Sequence, residues 1–481
     1  MAATITKEIR NPRGKVFRKL FVKRRSSTTG LFEASWQEIT DDVKSWGSIS
    51  KSIDSVRYSR VRFSDASLVV ANDEGKYNPE SDESSFWYGY APQNRSLIKI
   101  EAGFVAQTLS SSGIYTNTFL PADPTVFVGV LQGDIEIGSS NEVMLPVTPL
   151  LQVFRDFSTR NLSGLTTAGM TASQFLGVLR DQTDGAGGFI FRPFFGDTTT
   201  NWSYTSSSIV YKDITSTITS AQPAGTDETR QNDFLEMNVW DAIEKLAEAE
   251  DSIPYITRDG KFKFVTRAAN TATAAFAFYG RGYYDRITGI TIKRINSYKT
   301  KISDFYSRVE VKWQDLATTT AVISTQTAMT VGNNNAWNYG HRTFSIENTW
   351  LATSTSAVSL ANTIFSAVSS VNQEVNFETS FVPHLEVLDL VSMNYESAEQ
   401  DIYSRWDLAD WAGDGTNTST DLIWAAGDAL SFNNDEFKLT SIEMNLDSFE
   451  CRFIGILSGA TARNVSGNIV GSAIIGDAVL G

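Results

Sequence analysis

The sequence predicts a mainly β chain with a few short helices (α+β), its strands folding as antiparallel barrels or sandwiches. Three observations lead there. Aromatic residues make up 12% of the 481 residues and Ser and Thr are abundant, a mixture that suits a pleated, half-buried surface. Apolar residues recur at two-residue spacing through much of the first 150 positions, the period of a strand with one buried face. The 3.6-residue stripe of an amphipathic helix shows in few places. With 41% hydrophobic and 20% charged residues the chain can bury a large core, and at roughly 150 residues per domain its length fits two to four domains.

The elements follow in order. Lys15-Val-Phe-Arg-Lys-Leu-Phe-Val-Lys23 is apolar and punctuated by cations, as an edge strand is. Val56, Tyr58, Val61, Phe63, Leu68, Val69 and Val70 make an alternating strand that stops at the turn Asn72-Asp-Glu-Gly75, with Pro79 barring its resumption. Leu97–Gly103 is a strand, Val126–Val130 and Gly133–Ile137 form a hairpin, and Val143–Val147 follows. Residues 1–150 are thus an N-terminal β domain with a basic head. Residues 151–270 are a mixed α/β domain. There Thr171-Ala-Ser-Gln174 is a capping box ahead of Phe175, Leu176 and Leu179, and Phe189-Ile-Phe191 is a strand. Asn238 caps a helix to Asp251 whose stripe is Val239, Ala242, Ile243, Leu246 and Ala247, and Asp259-Gly260 turns a hairpin. Residues 271–458 are a second β-rich domain. Its strands run through 284–313, 373–381, 385–393 and 437–457, with a helix from about Ser354 to Ser370 carrying Val358, Ala361, Phe365 and Val368 on one side. In 459–481 Gly recurs at 467, 471, 476 and 481 among aliphatic pairs. Too slight to build a core alone, this segment is either a disordered end or an arm that orders on a neighbouring chain.

No constellation for chemistry emerges. Cys451 is the sole cysteine, which excludes an intrachain disulfide and a thiolate zinc site. Its alternation with Phe449 and Phe453 places it on a buried strand face. The two histidines, His341 and His384, have no ligand spacing around them. Gly185-Ala-Gly-Gly188 leads into a strand rather than a helix N-terminus, so it reads as a turn and not a phosphate cradle. Glu248, Glu250 and Asp251 read as the solvated end of a helix rather than a glycosidase pair. Asp410, Asp414, Asn417 and Asp421 miss the EF-hand spacing. The expectation is a non-enzyme with no catalytic residue, metal or cofactor. No apolar run approaches the ~18 residues that span a bilayer, and cations interrupt the N-terminus as they would not in a signal peptide, so a soluble chain made in the cytoplasm is expected. Net charge is −14 overall; residues 1–25 hold nine Lys/Arg and one Glu, leaving −22 on residues 26–481. The body repels nucleic acid on average, while the basic head is suited to an acidic partner.

Several phrases, in this order, resemble the baseplate hub or tail-tip hub proteins of tailed bacteriophages. They are Trp36-Gln-Glu-Ile-Thr-Asp-Asp-Val43, Asn72-Asp-Glu-Gly-Lys-Tyr-Asn-Pro79, the strands Phe127–Val130 and Asp134–Ile137, Trp240-Asp-Ala-Ile-Glu-Lys-Leu-Ala-Glu-Ala249, Tyr255-Ile-Thr-Arg-Asp-Gly-Lys-Phe262, and the closing strands Phe437–Met444 and Phe449–Phe453. The resemblance spans about residues 15–457 and departs from the family where other members carry a fused lysozyme or peptidase region. It implies two tube-like β domains per chain and a homotrimer. The trimer would join the tail tube or distal tail protein to tip or fibre proteins, in a virion tail assembled in the host cytoplasm, and viral DNA would pass through the ring without sequence-specific binding, along an acidic channel wall. Ile469, Ile474, Ile475, Val479 and Leu480 are the candidate partner-binding residues of the arm. The alternative reading is a receptor- or glycan-binding tail protein, with Trp406, Trp411 and Trp424 as stacking platforms.

Overall fold

The computed structural model describes residues 15–53, 61–63, 66–78, 83, 85–90, 95–109, 115–138, 141–159, 162, 171–184, 187–196, 201–204, 237–266, 274, 276–280, 289–314, 321–327, 340, 342–348, 351, 354–369, 372–396 and 431–457. The first eleven strands are β1 (Lys15–Lys23), β2 (Gln37–Glu38), β3 (Val43–Ser45), β4 (Ser48–Ile53), β5 (Val61–Phe63), β6 (Ala66–Ala71), β7 (Leu97–Leu109), β8 (Tyr115–Leu120), β9 (Thr125–Leu131), β10 (Glu136–Ile137) and β11 (Glu142–Pro149). Nine of them form one antiparallel sheet in the order β2-β1-β7-β9-β11-β6-β3, with β8 on β7 and β10 on β11. The sheet curves as a half-barrel. Alternation sets its inner face: Leu20 and Val22, Leu68 and Val70, Ile98 and Ile100, and Val143, Leu145 and Val147 are all buried.

Two expectations change here. The proposed hairpin of Val126–Val130 with Gly133–Ile137 does not form, because β9 pairs with β7 and β11 while β10 pairs with β11. The cause is burial: β9 is covered on both faces, as a central strand must be, whereas Glu136 and Ile137 are exposed at an edge. The single strand expected from Val56 to Val70 is divided as well. β6 stays in the half-barrel, but β5 pairs with β4, and β4 pairs with a strand more than 380 residues further on.

The middle of the chain contributes α1 (Leu151–Arg155), α2 (Ala172–Arg180), α3 (Arg192–Phe195), β12 (Trp202–Tyr204), α4 (Val239–Ala249), β13 (Ser252–Ile256) and β14 (Phe262–Thr266). Thr171 and Gln174 form the full capping box of α2, and the Asn238 side chain accepts from the Asp241 N–H at the start of α4. The stripe expected on α4 is fully buried. Phe189–Phe191 is not a strand: Phe189 makes one isolated bridge to Thr183, and Pro193 near the start of α3 favours a helical turn there. These elements close over Phe154, which stacks on Phe195 at 4.6 Å and meets Trp202, Trp240 and Phe262.

The rest adds β15 (Phe276–Tyr279), β16 (Gly289–Lys301), β17 (Arg308–Gln314), β18 (Ala321–Thr327), β19 (Thr343–Glu347), α5 (Ser354–Val368), β20 (Asn372–Ser380), β21 (Leu390–Glu396), β22 (Ser431–Asn445) and β23 (Glu450–Leu457). β21-β15-β16-β20-β23-β22 is a continuous path, and β22 pairs back onto β21, closing a six-strand barrel. Phe278, Phe377 and Phe453 pack ring against ring at 5.0–5.5 Å inside it. β4 lies on β22 just beyond the segment that pairs with β21. On α5 the buried stripe is Ala357, Leu360, Ala361, Ile364 and Val368, while Val358 is exposed; the helix is turned from its expected face because it packs on β17 and β18. The chain is mainly β, as its composition implies.

Truncating Phe154 removes the centre of the α-helical core, so Phe154→Ala should lower unfolding free energy by about 3–5 kcal/mol in urea titration and Phe154→Leu by clearly less.

Candidate assembly interface

Two polar seams fasten the half-barrel to the closed barrel. The first begins with a lysine inside the core. Ile49, Lys51 and Ile53 share the buried face of β4, and Lys51 is 4% exposed. Its Nζ donates to Glu386 Oε2 at 3.2 Å. The other oxygen of Glu386 accepts the backbone N–H of Arg258, and Arg258 Nη1 donates to the carbonyls of Asp123 and Thr125, at 3.1 and 3.0 Å, in the half-barrel. One carboxylate thereby gathers β4, the β13–β14 turn and the 381–389 loop. The turn can reach this place because residue 260 is glycine: its φ is +83°, and a Cβ would stand 3.1 Å from Leu150 Cδ1 and 3.3 Å from Val128.

Burial dominates the electrostatics of this seam. It lowers the Lys51 pKa, which the Glu386 charge opposes, and raises the Tyr255 phenol. It holds His384 down to about 4, with Arg258 adding to the effect; the imidazole lies edge-on to Phe276 at 5.0 Å. It pushes Asp389 up to about 6, even though its carboxylate accepts the Glu386 N–H at 2.8 Å. Burial, countered where a charged partner or donor is present, sets the direction of each of these shifts.

At the second seam Arg18 lies between the Trp46 and Phe449 rings, 5.2 and 5.1 Å from their centroids. It donates to Leu446 O and to Asp447 Oδ1. Asp447 also accepts the N–H groups of Trp46 and Gly47 and the Ser45 hydroxyl. In the described part of the basic head, residues 15–25, Lys19 pairs with Glu38, and Arg24 pairs with Glu33 and lies over the Phe86 and Tyr90 rings.

Two outward faces differ in character. The barrel carries a ladder of opposite charges: Arg294–Glu378, Lys293–Glu450, and Lys299 and Lys301 on Glu374. The half-barrel presents lysines among aromatic rings. Lys19 lies near Phe21 and Phe119, Lys99 near Phe21 and Trp36, and Phe17 meets Phe119 edge-on at 4.8 Å. Phe119 is 46% exposed.

The arm residues Ile469, Ile474, Ile475, Val479 and Leu480, the tryptophans Trp406, Trp411 and Trp424, the acidic set at 410–421 and His341 all lie outside the described residues. Cys451 is buried beside the Val382 backbone, and its thiol is pushed up to about 12. Glu250, expected on a solvated helix end, is buried instead. Gly187 and Gly188 fold back on Asp184, with no helix N-terminus following them directly. Among the described residues no His/Cys/Asp/Glu group has metal-site geometry, and no helix is long and apolar enough to cross a membrane. Sequence reasoning passed over Lys51, Arg258, Glu386 and Asp389. For Lys51 the signal was present: it occupies an apolar parity position of Ser-Ile-Ser-Lys-Ser-Ile.

No family model and no curated protein sequence matches the chain. Solved structures similar to it include a tail protein of Neisseria meningitidis MC58, at 10% identity and TM-score 0.47 over 92% of this chain and 96% of that one. A 43 kDa tail protein of prophage MuSo2 from Shewanella oneidensis is similar at 10% identity and TM-score 0.45, over 91% and 98%. The prophage tail protein gp18 of Listeria monocytogenes EGD-e is similar at 7% identity and TM-score 0.41, over 92% and 96%.

Asp389 holds its proton more tightly folded (about 6) than at its ordinary value of 3.8. The stability it contributes is complete below about pH 4 and lost as pH rises through 6. Asp389→Asn keeps an acceptor for the Glu386 N–H without ionising; in urea titrations at pH 5 and pH 7 its stability should stay level where that of the parent falls, leaving it about 2 kcal/mol the more stable at pH 7.

Proposed function

We propose that the chain is a structural virion protein: a tail-tip or baseplate hub that assembles as a homotrimeric ring between the tail tube and the distal tip or fibre proteins. The observation that carries this reading is that the phrases resembling the hub family each serve the two-module frame. Asn72 Oδ1 accepts the Tyr77 N–H, and the Tyr77 hydroxyl bonds Asp42 within the Trp36–Val43 phrase. Trp240 of the α4 phrase lies against Phe154. Arg258 of the Tyr255–Phe262 phrase bonds Glu386 and the half-barrel carbonyls, and Cys451 of the closing phrase sits inside the barrel wall. A closed barrel and a half-barrel held at fixed seams give one chain two curved modules, so three chains give six, and heterologous contacts that close produce a ring.

In this reading the excess of −22 on residues 26–481 serves the channel wall, where carboxylates repel phosphates and DNA slides without sticking. Residues 464–481 extend from the folded body onto a neighbouring chain through Ile469, Ile474, Ile475, Val479 and Leu480. Light scattering after size exclusion should give three times the 53.0 kDa chain mass, and particle density should place the chain once per three-fold unit on the tail axis. A monomer at micromolar concentration that also lies off-axis in the particle would overturn the reading. Deleting residues 464–481 should leave the circular dichroism of the chain unchanged and reduce tip assembly in a complementation assay.

A further inference from the structure

Arg24, Arg25, Arg95 and Arg192 gather at one end of the half-barrel, and one of them lacks an acid. β1 ends at Lys23 opposite Leu97, the first residue of β7. Arg24 and Arg25, which follow the one strand, therefore lie at the same end as Arg95, which precedes the other. The α3 turn joins them and brings Arg192, because its Phe194 ring meets Phe32 edge-on at 5.3 Å. Arg24 pairs with Glu33, Arg95 with Asp156 Oδ2 at 3.0 Å, and Arg192 with Asp181 Oδ1 at 2.8 Å. Among the described residues no carboxylate pairs with Arg25; burial, and then the like charge of Arg95, lowers its pKa. Its Nε donates to Gly30 O at 2.7 Å, while Nη1 and Nη2 have no acceptor among the described residues. The guanidinium faces the Phe32 and Phe194 rings, 5.7 and 5.6 Å from their centroids. The chain has 55 Asp and Glu against 41 Lys and Arg, so an arginine without an acid does not reflect a shortage of acids.

The surroundings hold this charge in place. Arg95 is fixed by Asp156, whose Oδ1 accepts from Gln152 Nε2 at 2.8 Å, and it lies 5.0 Å from the Phe157 ring centroid. Its backbone sits at φ +62°, the left-handed region that strains a residue with a side chain, so a like charge is kept near Arg25 at a conformational cost. The 26–31 turn is closed by the Gly30 N–H on Ser26 O and the Ser26 N–H on Leu31 O, and it presents Leu31 at 68% exposure. A half-buried guanidinium near a like charge is costly until an anion meets it, and a carboxylate fits the fork of Nη1 and Nη2 with two hydrogen bonds. Charge counting chooses the anion. With Arg95 offset by Asp156, the site is short of one negative charge, which a carboxylate supplies and a phosphate dianion exceeds.

We propose that Arg25 anchors an aspartate or glutamate side chain on an acidic segment of a partner protein, with Leu31 covering an apolar neighbour of that residue. The contact goes beyond the hub reading and does not depend on the ring. The probe is a fluorescein-labelled Gly/Ser peptide carrying one Leu-Glu-Leu sequence, titrated with the full chain and read by fluorescence anisotropy. Arg25→Gln should weaken its binding by about 10-fold or more, and so should replacing the peptide's Glu with Gln. Lys23→Gln, at the same strand end, should change it by less than about 2-fold. Asp156→Asn releases Arg95 and should tighten binding by about 3-fold or more, a gain that misfolding does not produce. A parent chain that binds the Glu and Gln peptides alike, or an Arg25→Gln variant that binds like the parent, overturns the proposal. So does the absence of a gain in Asp156→Asn. Tighter binding of the matched Leu-phosphoserine-Leu peptide to the parent overturns it too, because the site then takes a dianion. The trimer mass is read separately, so this dock can fail while the hub reading stands.

Discussion

β4 hydrogen-bonds to β22 of the closed barrel, whereas β3 and β6, which precede and follow it in the chain, belong to the half-barrel. The polypeptide thus leaves one sheet, adds staves to the other and returns, and neither sheet can shift without dragging this crossing segment. A single hydrophobic core runs from Leu20 and Ile100 of the half-barrel to Phe377 and Phe453 of the closed barrel. The crossing also puts Lys51 in that core. A buried ammonium is costly unless paired and hydrogen-bonded, so Glu386 and the 381–389 loop that carries it are fixed by the same constraint, and Arg258 with its turn by Glu386 in turn. Strand exchange and one buried ion pair thus join the two modules through the same segment.

Local signals were legible in the sequence where one segment carries the whole cause. The caps at Thr171, Gln174 and Asn238 are satisfied by backbone donors three residues away, and the Asp259-Gly260 turn needs only its own positive φ. Pairing between distant strands left no such trace. Val126, Phe127, Val130 and Leu131 tell that β9 is buried, not that its partners are β7 and β11. The α5 stripe was misplaced for a related reason: Val358 and Phe365 lie at good helical spacing with Val368, but the sheet under the helix selects Ala357, Leu360 and Ile364. Of the polar seam, Lys51 was readable as a cation on an apolar face. Glu386 and Asp389, in a loop between strands, have no periodicity to betray them, because a loop residue's burial is set by what folds over it.

The two seams also differ in what they tolerate. Arg18 and Asp447 are partly exposed, so water screens their attraction and the geometry comes from Asp447 accepting three neighbouring donors. Lys51 and Glu386 are shielded, with Arg258 N–H, Asp389 and Tyr255 close by, so removing either partner strands a charge in low dielectric. The first seam behaves as a hinge plate that can lose one bond; the second behaves as a pin.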